Sequence, residues 1–142
     1  MTTATRTQSP TELDRLLDDH YAAEVAGDLD ALLATFSDEV EHDVVGNAEV
    51  SHGTEAVAAF YRGLLADLAF DDITRVRRYH GADFVVDESV VHARAIGTPF
   101  GLPGGGREIR FRLLHVFEVR DGRITRENAW IDLASVLAQL AR

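Results

Sequence analysis

The chain contains no cysteine, which excludes disulfide frameworks, thiolate zinc sites and cysteine nucleophiles together. That absence suits a reducing compartment, and a cytoplasmic location is the expectation. Basic side chains are in short supply: 14 Lys plus Arg stand against 24 Asp plus Glu, for a formal net charge of −10. An acidic surface repels phosphates, which argues against nucleic acid and anionic membranes as partners. No eighteen apolar residues run together, and the Thr-rich stretch from Met1 to Gln8 lacks the apolar segment of a signal peptide. With 142 residues, 46% of them apolar and only three prolines, the chain suits one well-buried domain and is too short for two. The expectation is a disordered tail over residues 1–8 and a single domain over residues 9–142.

What is present centres on Arg107 to Asp132. The odd positions Ile109, Phe111, Leu113, His115, Phe117 and Val119 form a period-2 apolar face with one histidine in its middle. The even positions are charged at both ends, as on the solvated face of an antiparallel sheet. Asp121-Gly122 is the residue pair of a two-residue type I′ turn. From that turn the register predicts Val119 opposite Ile124, Phe117 opposite Arg126, His115 opposite Asn128, Leu113 opposite Trp130 and Phe111 opposite Asp132. His115, Asn128, Trp130 and Asp132 then share one face with Phe111, Leu113 and Phe117, as in the lining of a ligand pocket. A slip of one residue sends Asn128, Trp130 and Asp132 to the opposite side.

Along the chain, Ser9-Pro10-Thr11-Glu12 predicts a capped helix start, and Leu13, Leu16, Leu17, His20, Tyr21 and Glu24 follow at helical spacing. Gly27 ends that helix and Asp28 caps a second with Leu29, Leu32, Leu33 and Phe36 on its buried side. Val40 to Val45 has strand character, and alternation turns His42 inward and Asp43 outward unless a bulge beside Gly46 reverses them. Thr54 to Leu68 predicts an amphipathic helix carrying Phe60 in its apolar stripe. Ile73 to Tyr79 and Phe84 to Ile96 predict strands; on the second, Val85, Asp87, Ser89, Val91, Ala93 and Ala95 form the smaller side, expected under a helix. Gly97 to Gly106, with five glycines and two prolines, is a hairpin tip or a flap over a pocket mouth. Leu133, Val136, Leu137 and Leu140 mark a C-terminal helix. The resulting class is α+β, helices on one face of a curved antiparallel sheet.

The run HYAAEVAGDLDALLATFSDEVEHDVVG from His20 to Gly46, with HGTEAVAAFYRGLL from His52 to Leu65, resembles the N-terminal half of ketosteroid isomerases. Gly97 to Leu140, with its DGRI turn, W-x-D and terminal QL, resembles SnoaL-like polyketide cyclases of the same NTF2-like superfamily. The resemblance implies an NTF2-like cone: a strongly curved antiparallel sheet with about three helices on its concave side. It implies a cofactor-independent acid/base enzyme acting on a small apolar carbonyl compound, polyketide or steroid-like, by isomerisation, aldol cyclisation or dehydration. Asp43, beside His42, falls at the general base of the isomerases, and His115 at their protonated aspartic acid. Their tyrosine maps to His20 or Tyr21. Asp132 matches the general acid/base of the cyclases. Catalytic candidates are therefore Asp43, Asp132, His115 and His42, with Tyr21, His20, Phe60, Phe111, Leu113, Phe117, Asn128 and Trp130 lining the pocket. Homodimerisation through the outer sheet face is also implied, and Leu114 and Val116 on that face agree with it.

Plainer readings stand beside these. His115 also suits a core histidine bonded to Asn128, Asp132 also suits the N-cap of the helix at Leu133, His42-Asp43 also suits a surface pair, and Trp130 also suits core filling. Epoxide opening by an activated water is an alternative reaction, which requires Arg94 or Arg112 to turn inward. A ligand-binding or dimerisation module without catalysis is the other alternative. His52, His80 and His92 lack metal-ligand spacing, and no metal site is expected.

Overall fold

The computed structural model describes residues 6–142, so residues 1–5 of the expected tail lie outside the described residues. Gln8, expected in that tail, is instead buried: its side-chain amide donates to the Val119 carbonyl at 3.1 Å and accepts from the Gly122 N–H at 2.9 Å.

Helix α1 (Pro10–Ala26) starts as its sequence directs, with the Ser9 hydroxyl accepting from the Glu12 N–H and Pro10 in the first turn. It stops at Gly27, whose φ of 67° is the left-handed conformation that glycine tolerates. Asp28 caps the short α2 (Leu29–Leu33). Phe36, expected on that helix, instead opens strand β1 (Phe36–Val44). After β2 (Ser51–His52) and α3 (Gly53–Asp67) come β3 (Leu68–His80), β4 (Phe84–Ala95), β5 (Arg107–Arg120), β6 (Arg123–Ile131) and α4 (Leu133–Leu140).

These strands form one sheet in the order β2-β1-β6-β5-β4-β3. The last four make the expected meander, each antiparallel to the next. β1, however, lies parallel to β6, so the sheet is mixed and not wholly antiparallel. Parallel neighbours need a crossover, and here it runs through α3 and four strands. Helices α1 and α3 pack on β3, α3 also on β1, and α4 on β5. The small side of β4, from Val85 to Ala95, is buried beneath them as expected. Among the described residues no helix is long and apolar enough to cross a membrane.

The β5–β6 hairpin begins in the expected register. Asp121 and Gly122 have φ of 50° and 74°, and Val119 pairs with Ile124. One pair later Glu118 sits opposite Arg126, so Thr125 is an extra residue, a β-bulge whose hydroxyl donates to the Glu118 carbonyl at 3.2 Å. Every later pair is displaced by one: Phe117 with Glu127, Val116 with Asn128, His115 with Ala129, Leu114 with Trp130 and Leu113 with Ile131. The expected pairs of Phe117 with Arg126, His115 with Asn128, Leu113 with Trp130 and Phe111 with Asp132 do not form. The cause is a conflict of parity: the turn directs Ile124 inward, while the apolar Ala129 and Ile131 lie at odd positions. Only an inserted residue puts all three on the same face.

Candidate active site

The bulge decides which side chains meet inside. Asn128 and Trp130, both expected to line a pocket, turn to the outer face, where Trp130 is 40% exposed. Asp132 is the N-cap of α4, accepting from the Ser135 N–H at 3.3 Å, so the capping reading holds and the expected acid/base position does not. Asp43 follows strict alternation and faces outward, 3.3 Å from the Arg126 guanidinium, which also binds Glu41 and the Asn128 side chain. A carboxylate tied into that surface network is not the base of an interior site. His42 and His115 do point inward, and both are buried.

In place of the expected aspartates the bulge brings in Glu127, only 2% exposed and paired with Phe117 on one side and His42 on the other. Burying a carboxylate costs several kcal/mol unless it is well partnered. Glu127 is. The Tyr61 hydroxyl from α3 donates to its two oxygens at 2.9 Å each, and His115 Nε2 lies 3.1 Å from Oε1. His20 Nε2 stands 3.6 Å from Oε2 and His42 Nε2 3.7 Å from Oε1. Burial alone would raise its pKa, but the charges of His42 and His20 and the hydrogen bond from His115 outweigh it and hold the carboxyl well below its ordinary range. Burial, then the neighbouring acids, push the Tyr61 and Tyr21 hydroxyls up, so both remain neutral donors.

The hydrogen-bond network assigns two of the imidazole tautomers. Tyr21 spends its one hydroxyl proton on Asp87 at 2.8 Å, so its oxygen accepts from His115 Nδ1 at 3.0 Å. Thr35 likewise spends its proton on the Leu32 carbonyl at 2.7 Å and accepts from His20 Nδ1 at 3.0 Å. With Nδ1 protonated in both rings, each Nε2 is directed at Glu127. At 3.1 Å the His115 Nε2–Glu127 Oε1 contact is within hydrogen-bond distance. Asp87 is itself fixed by Arg78 at 2.7 Å and by Ser89, which makes Arg78, Asp87, Tyr21, His115 and Glu127 one continuous chain. His42 is held by its ring packing on Phe60, with centroids 4.4 Å apart. Among the described residues no three His, Asp or Glu side chains are arranged to hold a metal ion.

This cluster opens into a cavity between α3 and the sheet. Phe60, Leu64, Phe70, Phe111, Leu113, Ala129 and Ile131 supply an apolar wall, and His42, His115, Tyr61 and Glu127 a polar floor. The expected lining residues Phe60, Phe111 and Leu113 are there. His20, Tyr21 and Phe117 lie behind the floor, in the core between the first helices and the sheet. Phe100, from the loop after β4, stands at the wall with a φ of 55°, so that loop reaches the cavity. One more polar group lines it: Glu24, 6% exposed, whose Oε2 has no hydrogen-bond partner among the described residues. Burial first, then the charge of Glu127, raises its pKa to about 7, against an opposing effect of His20.

Sequence reasoning missed Glu24 and Glu127 as site residues. Glu24 was detectable, since it continues the helical stripe of Leu13, Leu17 and His20. Glu127 was detectable only from the parity conflict between Ile124 and Ala129.

A family profile described as a SnoaL-like domain matches residues 17–127. Among solved structures, a protein of Xanthomonas campestris pv. campestris assigned as a polyketide cyclase is 29% identical, with a TM-score of 0.78 over 92% of this chain and 97% of that one. A protein of Jannaschia sp. CCS1 assigned as a SnoaL-like polyketide cyclase is 18% identical, with a TM-score of 0.83 over 96% of this chain and 97% of its own. An LEH-like epoxide hydrolase of M. tuberculosis is 23% identical, with a TM-score of 0.75 over 93% of this chain and 91% of its own. The last two likenesses show a shared fold alone. None of the curated proteins matches the chain.

Proposed function

The chain belongs to the SnoaL-like domain family, with its NTF2-like cone, and from that premise we propose that it is an acid/base enzyme for a small, mostly apolar carbonyl compound. The observation that carries the reading is the contact of His115 with Glu127, 3.1 Å apart at the floor of an apolar cavity. A carbonyl oxygen seated against His42, whose Nε2 lies 3.7 Å from Glu127 and so beyond hydrogen-bond distance, receives a hydrogen bond as negative charge develops on it. Proton transfer next to a carbonyl needs no cofactor, and isomerisation, aldol cyclisation and dehydration all begin with that step. Tyr21 and Asp87 position His115 by fixing its Nδ1 proton.

Epoxide opening is the less favoured reaction. It calls for an arginine in the cavity, but Arg94 is half exposed and paired with Asp71, and Arg112 is exposed and paired with Glu88. A vestigial, non-catalytic cavity is disfavoured by the two carboxyl groups that reach it. In the same reading a second copy of the chain pairs through the outer sheet face. Trp130 and Leu114 sit opposite each other there and are partly exposed, with Val116 beside them.

The test is proton–deuterium exchange at the α-carbons of cyclohexanone and 2-tetralone in deuterated buffer, followed by NMR. Wild-type protein is expected to accelerate exchange over buffer, and His42→Phe to lose roughly 100-fold of that acceleration. Exchange no faster than buffer with either ketone would overturn the proposal.

A further inference from the structure

Glu127 is a poor proton acceptor despite its place in the cavity floor. Both of its oxygens receive the Tyr61 hydroxyl, one is bonded to His115, and His20 and His42 crowd the remaining directions. Removal of a proton from carbon needs a carboxylate with an uncommitted lone pair facing the substrate. Glu24 is the other carboxyl group on the cavity lining, and it carries an uncommitted oxygen. It lines the same cavity, it is 6% exposed, and its Oε2 has no partner among the described residues. Such an atom is costly to bury for structural purposes alone.

We infer that Glu24 is the base of this pocket, taking the α-proton of the carbonyl compound while His42 holds the oxygen. The inference rests on the acid/base reading above and names the residue that reading leaves open. In the step, the α C–H bond breaks and its electron pair becomes the carbon–carbon π bond of the enolate. The carbonyl π pair moves to oxygen, where the His42 imidazole holds it. The proton resides on Glu24 until it is returned to carbon. Burial lifts the Glu24 pKa to about 7, which suits a base working near neutrality. The charged and titratable groups near it are His20 and Tyr21 on its own helix, Glu127 from β6 and Tyr61 from α3, with His42 and His115 lining the same cavity.

Full-length wild type, Glu24→Gln and Glu24→Asp are compared in the ketone exchange assay across neutral pH. Wild-type exchange is expected to rise as pH passes through about 7 and then level, because the ionised form is the active one. Glu24→Gln is expected to lose roughly 100-fold and the pH step with it, while Glu24→Asp keeps a step at reduced rate. Thermal melts at the assay pH establish that each variant is folded. Active wild type with an equally active, equally pH-dependent Glu24→Gln overturns the Glu24 assignment and leaves the histidine–glutamate reading standing. Wild type inert toward both ketones overturns the two together.

Discussion

At the scale of single residues, the interior carries two carboxyl groups whose surroundings drive them apart. Glu127 is held ionised by its ring of donors, and Glu24 is held neutral by burial until about pH 7. The second displacement has a cost that can be measured. In the unfolded chain Glu24 ionises near 4.5, and in the folded chain near 7. Below the lower value both states are neutral and nothing is lost. As pH rises between the two values only the unfolded state ionises, and stability falls. Above the upper value the loss is constant, about 3 kcal/mol by the usual linkage. Glu24→Gln removes this ionisation. Its stability relative to wild type, read from urea unfolding, is therefore expected to improve by up to about 3 kcal/mol between acid and mildly alkaline pH. A difference independent of pH would show that Glu24 is not buried as described.

At the scale of elements, local chemistry was legible and one cross-strand count was not. The Ser9 cap, the Gly27 stop, the Asp121-Gly122 turn and the inward faces of β4 and β5 all follow from residue type and spacing. His42 and His115 were found because alternation along a single strand is enough to orient them. Asn128, Trp130 and Asp132 were misplaced because their orientation depends on pairing with another strand, where a single bulged residue reverses every face beyond it. β1 beside β6 was likewise hidden, since a parallel neighbour far away in sequence leaves no turn to read. The same bulge that removed three expected lining residues supplied the carboxylate they were meant to accompany.

At the scale of the whole molecule, a chain of net charge −10 places several arginines beside its exposed apolar patch. Arg110, Arg112 and Arg126 flank Trp130 and Leu114 on the outer sheet face. Arg112 and Arg126 partly neutralise Glu88, Glu41 and Asp43 on that face, which lowers the repulsion between two acidic copies there. Wild type is expected to run as a dimer in light scattering and Trp130→Arg as a folded monomer; a monomeric wild type would remove the outer face as an interface. Trp130 is the only tryptophan, so its emission is also expected to shift to the blue on association. The central claim remains that the bulge at Thr125 makes Glu127, and neither aspartate of the sequence pattern, the interior carboxylate that organises the histidines. The most direct measurement is the ketone exchange rate of Glu127→Gln set beside those of Asp43→Asn and Asp132→Asn. The two aspartate variants are expected to match wild type and Glu127→Gln to fall roughly 100-fold; loss of exchange in either aspartate variant with Glu127→Gln unaffected would contradict the account.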